Sequence, residues 1–269
     1  MQDQWLVQLE RKDFQNRSHL LLIANGYVGI RASFGELFNI EQSSVHVIGI
    51  YDQVGFDDPN KDPWHPERDK WKEIINMPNF MLSRIKFDDE FINLSDNFSV
   101  ILNLRTATLN LEYIWTSKKG NRVKVEHERY CAYSEKNNVW SRVKITSLDT
   151  YGKVEYHTAI DGKVKDANGV HLEAFETGEC EGGTWLTAQT QQHKYKVGIS
   201  SKHRFSDPVD TNTRPEKKAI RQIHSTNLNK DKTLEITSQH SIYTSRDSFD
   251  PLMEAQQANH NAKDIRKQH

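Results

Sequence analysis

The amino-acid sequence predicts an all-β protein: a large antiparallel two-layer sandwich with a short C-terminal helical segment. Three observations predict it. Period-two runs rich in Val, Ile, Thr, Tyr and Trp recur along most of the 269 residues, the alternation expected of half-buried strands. Gly, Asp and Asn punctuate those runs where hairpin turns would fall. Roughly a dozen or more such strands exceed what one open sheet holds comfortably, so two packed layers are expected. A chain of this length can bury one large core, and a single sandwich is the leading expectation.

Taken in order, the first signal is "LLLIANGYVGIRASFGE", Leu20 to Glu36. Asn25-Gly26 reads as a turn, with Gly supplying a positive φ and Asn tolerating it, while Tyr27, Val28 and Ile30 continue into the sandwich. Gly26 to Gly29 fits neither a dinucleotide fingerprint nor a P-loop, because no Lys-Ser/Thr follows and the next residues are strand-like. Arg31, a long cation beside a core strand, calls for a carboxylate partner, for which Glu36 is one candidate.

"YDQVGFDDPNKDPWHPERDKWKEIINMPNF" reads as neither strand nor helix and holds four of the seven prolines. Irregular segments of this length are uncommon in compact domains and tend to be functional or disordered, and its aromatics argue against disorder. Trp64, His65, Glu67 and Trp71 could together stack on a sugar ring and hydrogen-bond its hydroxyls, which makes them the candidate substrate-binding residues. The plainer alternative, that both Trp side chains pin the segment to the sandwich, carries the greater weight by the usual role of aromatics.

"ATLNLEYIWTSKKGNRVKVEHERYCAY" alternates on both sides of a Lys-Lys-Gly-Asn turn and predicts a long hairpin, with Leu109, Leu111, Tyr113, Val123 and Val125 facing the core. "NNVWSRVKITSLDTYGKVEYHTAIDGKV", "TWLTAQTQQHKYKVGISSKHRF" and "KTLEITSQHSIYTS" repeat the design. In the tail, Asp250 can cap a helix whose first position suits Pro251. Its apolar face is thin, so it is expected to bury little and to lead toward a partner.

Charge and cysteine usage exclude several classes. Lys plus Arg total 36 against 37 for Asp plus Glu, with no block of one sign, so neither nucleic acid nor an anionic membrane has an electrostatic footprint. The charged start "MQDQWLVQLERKDF" lacks the apolar centre of a secretory signal, and no run reaches the length of a membrane span, so a cytoplasmic protein is expected. Cys131 and Cys180 form neither a disulfide framework nor a zinc ribbon. The glycosylation-type triplets at Asn16, Asn93 and Asn97 are then without consequence.

Motifs of chemistry are missing. There is no HExxH, no GxSxG and no cysteine nucleophile signature, and His65-Pro66-Glu67 lacks the PCxxC of a zinc deaminase. None of the 12 histidines pairs at metal spacing, so surface or sheet histidines are the default. His127, between Glu126 and Glu128 on a strand, has both carboxylates on the opposite face. No catalytic residue, metal ligand or cofactor is expected.

Four segments, "ANGYVGIRASFGE", "NMPNF", "RVKVEHERYCAY" and "SIYTSRD", in this order and spacing, resemble the N-terminal domain of glycoside hydrolase family 65, the maltose, trehalose and kojibiose phosphorylases. Ala24 and Ala32 stand where that pattern more often has Gly, a difference that concerns close packing and subfamily. The resemblance implies a β-supersandwich of the galactose-mutarotase kind over residues 1–249. It further implies the start of a helical linker over 250–269, leading to an (α/α)6 barrel that holds the general-acid Glu and the phosphate site and is not in this chain. The partners so implied are that barrel, a disaccharide and inorganic phosphate, and a homodimer is the assembly expected of the parent. Function then divides into three: a non-catalytic module shaping the active-site entrance of an inverting disaccharide phosphorylase or hydrolase, a free-standing carbohydrate-binding sandwich, or a mutarotase-like epimerase using a His and a Glu.

Overall fold

The structure, a computed structural model, describes residues 4–37, 44–55, 70–94, 98–166 and 169–261. Within these, the chain begins with β1 (Leu6–Glu10), helix α1 (Arg11–Arg17), β2 (Ile23–Ala24), β3 (Val28–Ile30), β4 (Val45–Val47), β5 (Tyr51–Gly55) and β6 (Lys70–Ile74). It continues through β7 (Asn79–Phe87), β8 (Glu90–Phe91), β9 (Ser99–Asn103), β10 (Thr108–Thr116), β11 (Arg122–Cys131), β12 (Asn138–Ser147) and β13 (Gly152–Asp161). The last elements are β14 (Leu172–Cys180), β15 (Gly183–Thr190), β16 (Lys196–Phe205), β17 (Asp210–Glu216), β18 (Ala219–Leu228), β19 (Thr233–Thr244) and helix α2 (Pro251–Asn261).

Two large antiparallel sheets carry the fold. A nine-stranded sheet runs β1-β9-β10-β11-β12-β19-β16-β15-β14, and a five-stranded sheet runs β17-β18-β13-β7-β8. One core lies between them, built from the inward residues of both, among them Val125, Val143, Ile236 and Ile199 from the first sheet and Tyr156, Ile85 and Ile220 from the second. The β10–β11 hairpin forms as its alternation dictates. Tyr113 faces Val125 across it, and Gly120 takes φ +86 in the turn. Leu109, Leu111, Tyr113, Val123 and Val125 are all buried.

The other strand runs differ in how they pair. β15 and β16 form the expected hairpin. β12 and β13 are consecutive but join different sheets, and β19 enters between β12 and β16.

Two small sheets, β2-β3-β4 and β5-β6, sit beside the sandwich. Asn25-Gly26 is a turn, Gly26 having φ +86. Asn25 also ties it down: its Oδ1 accepts from the amides of Tyr27 and Val28, and its Nδ2 donates to the carbonyls of Ala132 and Lys136. Arg31 does not reach Glu36. Its guanidinium donates to Ser18 Oγ at 3.1 and 2.6 Å, because Glu36 is taken by an interior histidine.

α2 starts as the sequence indicates, with the Met253 amide donating to Asp250 Oδ1 at 3.0 Å. The helix lies on β16 and β19, where Gly198 leaves room for it: a Cβ there would stand 2.5 Å from the Leu252 nitrogen. The helix residues Pro251, Ala255 and Asn259 are buried, and Asn259 Oδ1 accepts from Ser241 Oγ at 3.0 Å. A thin apolar face suffices when the sheet beneath is small and polar.

Candidate functional site

The segment singled out by its prolines and tryptophans is not wholly irregular. Its two ends are β5 and β6, paired antiparallel from Tyr51↔Ile74 to Gly55↔Lys70. Its last residues, from Asn79, already belong to β7. Charged residues at alternate positions hid both short strands, since Asp52 and Glu73 occupy inward positions that normally carry apolar side chains.

These two carboxylates root the hairpin. Asp52 is fully buried, and its Oδ1 accepts from the amides of Gln192 and His193, each at 3.1 Å, and lies 3.2 Å from His193 Nδ1. Burial alone would raise its pKa, yet the His193 amide and ring, with the amides of Gln53 and Gln192, hold it below the usual carboxylate value. His171, also buried, stands 3.7 Å from Asp52, 3.3 Å from Glu73 and 4.0 Å from Asp166. Asp166 in turn accepts from the Asn76 amide at 3.1 Å, and Asn76 Oδ1 accepts from the Val45 amide at 2.9 Å. The stem is thereby joined to the β15–β16 turn, to the segment before β14 and to β4.

This arrangement anchors the hairpin. The Asp52 oxygens are committed to backbone amides that would otherwise be orphaned. Among the described residues, no group of three or more His, Cys, Asp or Glu is placed to hold a metal ion.

Trp64, His65 and Glu67 lie outside the described residues. Trp71 falls on β6, in register with Val54. The structure thus locates the stem that carries the candidate substrate-binding residues.

The interior holds a second polar group that spacing did not reveal. His127 Nε2 lies 3.0 Å from Glu36 Oε1, with both side chains sealed from solvent. Arg129 donates to the Ser33 carbonyl and stacks over Phe34 at 4.3 Å. Burial pushes Glu36 up, but the charge and hydrogen bond of His127, then Arg129, bring it below its ordinary value. Glu126 and Glu128 do point away from His127, as expected. Of the histidines expected on the surface or in sheets, His127, His224 and His240 are sheet residues on β11, β18 and β19, and all three are buried; His171, just before β14, is buried outside any strand. His127 shares strand parity with Val123 and Val125, and that parity was the available signal.

Similar proteins agree on the fold. The family profile described as "Glycosyl hydrolase family 65, N-terminal domain" matches residues 7–268. A nigerose phosphorylase of Lachnoclostridium phytofermentans is 29% identical over 172 residues, covering 62% of this chain and 21% of that protein. A kojibiose phosphorylase of Halothermothrix orenii is 26% identical over 188 residues, covering 68% and 22%. A solved structure assigned provisionally as a kojibiose phosphorylase from the human microbiome superposes with a TM-score of 0.82 at 17% identity, covering 98% of this chain and 36% of that one. The chain therefore spans about a fifth of the length of the curated relatives it matches. No helix among the described residues is long and apolar enough to cross a membrane. With a family match that runs from the first strand to the tail, the chain belongs to glycosyl hydrolase family 65, as its N-terminal domain.

Proposed function

We propose that this chain is the non-catalytic N-terminal module of an inverting disaccharide phosphorylase acting on α-glucosidic disaccharides of the kojibiose and nigerose kind. In this reading it supports an (α/α)6 catalytic barrel of the same polypeptide, shapes the entrance to its active site, and leaves disaccharide and inorganic phosphate chemistry to the barrel. The observation that carries it is the family match over 7–268, joined to relatives whose names are phosphorylases and whose chains are far longer. The rooted β5–β6 stem supports a more specific role. That stem, rooted on buried Asp52 and His171, carries Trp71 and is joined in sequence to Trp64, His65 and Glu67, and in this reading these four are the substrate-positioning residues. Two free cysteines, one of them buried, suit the reducing cytoplasm of this reading; a homodimer is its proposed assembly for the parent.

The test is substitution in the full-length polypeptide. Trp64→Ala or Trp71→Ala should raise KM for the disaccharide or weaken assembly while leaving the melting of chain 1–269 nearly unchanged. Wild-type kinetics and assembly in both variants would make the segment structural. Titration of 1–269 with glucose and kojibiose, beside a mutarotation assay, discriminates the alternatives: saturable binding favours a carbohydrate-binding sandwich, and accelerated mutarotation an epimerase.

A further inference from the structure

Gly29 is the central residue of β3 in the three-stranded sheet β2-β3-β4, and nothing inside the described structure requires it to be glycine. The other strand glycines whose surroundings are described each have a cause. A Cβ on Gly152 would meet the Phe87 ring at 2.2 Å, on Gly178 the Trp185 ring at 2.5 Å, on Gly183 the Ser201 carbonyl at 2.2 Å and on Gly198 the α2 backbone at 2.5 Å. On Gly29 it would meet only Ala24 at 3.8 Å and Leu22 at 3.9 Å, ordinary contacts. Nor does Gly29 take a positive φ. A strand glycine without such a reason costs about 0.5–1 kcal/mol relative to Ala, and it commonly marks a place where another backbone comes close.

Among the described residues, the surface around it is apolar and uncovered. Leu22 and Ala24 lie on the side where the Gly29 Cβ would project, and His46 pairs with Gly29 on the outer strand. Ile48, whose amide extends the ladder to the Tyr27 carbonyl, is 66% exposed, and Leu22 is 46% exposed. Beside this sheet the β5–β6 stem adds the facing pair Tyr51 and Ile74, 37% and 49% exposed. Cations border the patch: Arg246 donates to the Gly49 carbonyl, Lys136 lies over the Tyr27 ring, and Lys72 stands exposed on β6.

We infer that the outer face of β2-β3-β4, centred on Gly29 with Leu22 and Ile48, is the surface on which the polypeptide following this domain in the family docks, through a segment with apolar side chains at its middle and carboxylates at its edge. The inference rests on the proposed role as an N-terminal module. The occupant is chosen because the matching family is by description an N-terminal domain and about four-fifths of each curated relative lies outside the match. The cationic border supplies the complementarity, and the glycine supplies the close approach.

Hydroxyl-radical footprinting of chain 1–269 and of the full-length polypeptide from the same gene tests this. Oxidation of Leu22 and Ile48 should slow about tenfold in the longer protein, as for side chains at a packed interface centre, while exposed Ile114 on β10 labels equally in both. Gly29→Ala and Gly29→Gln should leave the Tm of 1–269 unchanged or raised, and Gly29→Gln should restore labelling of Leu22 and Ile48 in the full-length protein. If Leu22 and Ile48 label alike in both while another face becomes protected, the docking surface is wrong and the module role stands. If no face is protected, or the gene ends with this chain, both fail. Protection of 1–269 that grows with its own concentration identifies a second copy as the occupant and overturns the inference.

Discussion

On β16 and β19 one pattern meets itself antiparallel: Ser201-Lys202-His203 on the first strand and Ser238-Gln239-His240 on the second. Ser201 faces His240 and His203 faces Ser238, giving hydroxyl-to-Nδ1 contacts of 2.8 and 2.7 Å. His224 reaches in from the other sheet, its ring 5.4 Å from that of His203. Burial drives all three down: His240 to about 3, with Arg129 adding, His224 to about 4, with His157 adding, and His203 well below its ordinary value, with His224 and His240 adding. They are neutral in the folded protein and titrate near 6.5 once unfolded. Below about pH 6.5 the unfolded chain therefore binds protons that the folded one refuses, and stability falls with pH by about 1.4 kcal/mol per unit for each such histidine. Glu36, whose pKa is lowered, has the opposite form: its contribution is kept above its unfolded value and lost only at still lower pH. Replacing His240 by Gln, which can keep a hydrogen bond to Ser201, should reduce the slope of unfolding free energy by about 1.4 kcal/mol per unit between about pH 6 and 5, measured by urea denaturation. An unchanged slope would show that His240 takes up its proton in the folded state.

At the scale of elements, the sandwich leaves two attachments that can be loosened separately. Asp52→Asn removes the charge that holds two amides and a histidine, and should cost on the order of 2 kcal/mol. If the β5–β6 stem opens by itself, its amides should then exchange about thirtyfold faster while β11 and β12 keep their protection. Equal exchange in both proteins would mean that Glu73 and Asp166 suffice as anchors. Gly198→Val places atoms where the Leu252 nitrogen and Pro251 carbonyl carbon stand, and overpacking of this kind costs roughly 1–3 kcal/mol. Faster exchange confined to α2 is the expected result, and retained protection of the helix would show that β16 yields instead. The same elements show what a sequence displays. The β10–β11 hairpin was legible because its alternation and its turn are both local. The joining of β12 to β19 was not, because antiparallel pairing between distant strands leaves no mark in either one. Glu36 and His127 stand 91 residues apart, so only the inward parity of His127 hinted that it needed a buried partner. β5 and β6 were missed because the residues that root them are charged.

For the whole molecule, the fold class, the turn at Asn25-Gly26, the cap of α2 and the family were all readable, since each rests on local pattern or on short segments in order. The interior histidines and the rooted stem depend on what the fold brings together. The same separation applies to function. Catalysis of disaccharide phosphorolysis needs a positioned acid and an oriented phosphate, and the two buried carboxylates among the described residues, Asp52 and Glu36, are engaged by Gln192 and His193 and by His127. The most direct measurement is the release of glucose 1-phosphate by purified chain 1–269 supplied with inorganic phosphate and kojibiose, nigerose, maltose or trehalose in turn. The account predicts release indistinguishable from a buffer blank for all four, alongside circular dichroism dominated by β-structure and a cooperative melt. Sustained release above the blank with any of them, lost on heat unfolding, would contradict it and place a complete active site within these 269 residues.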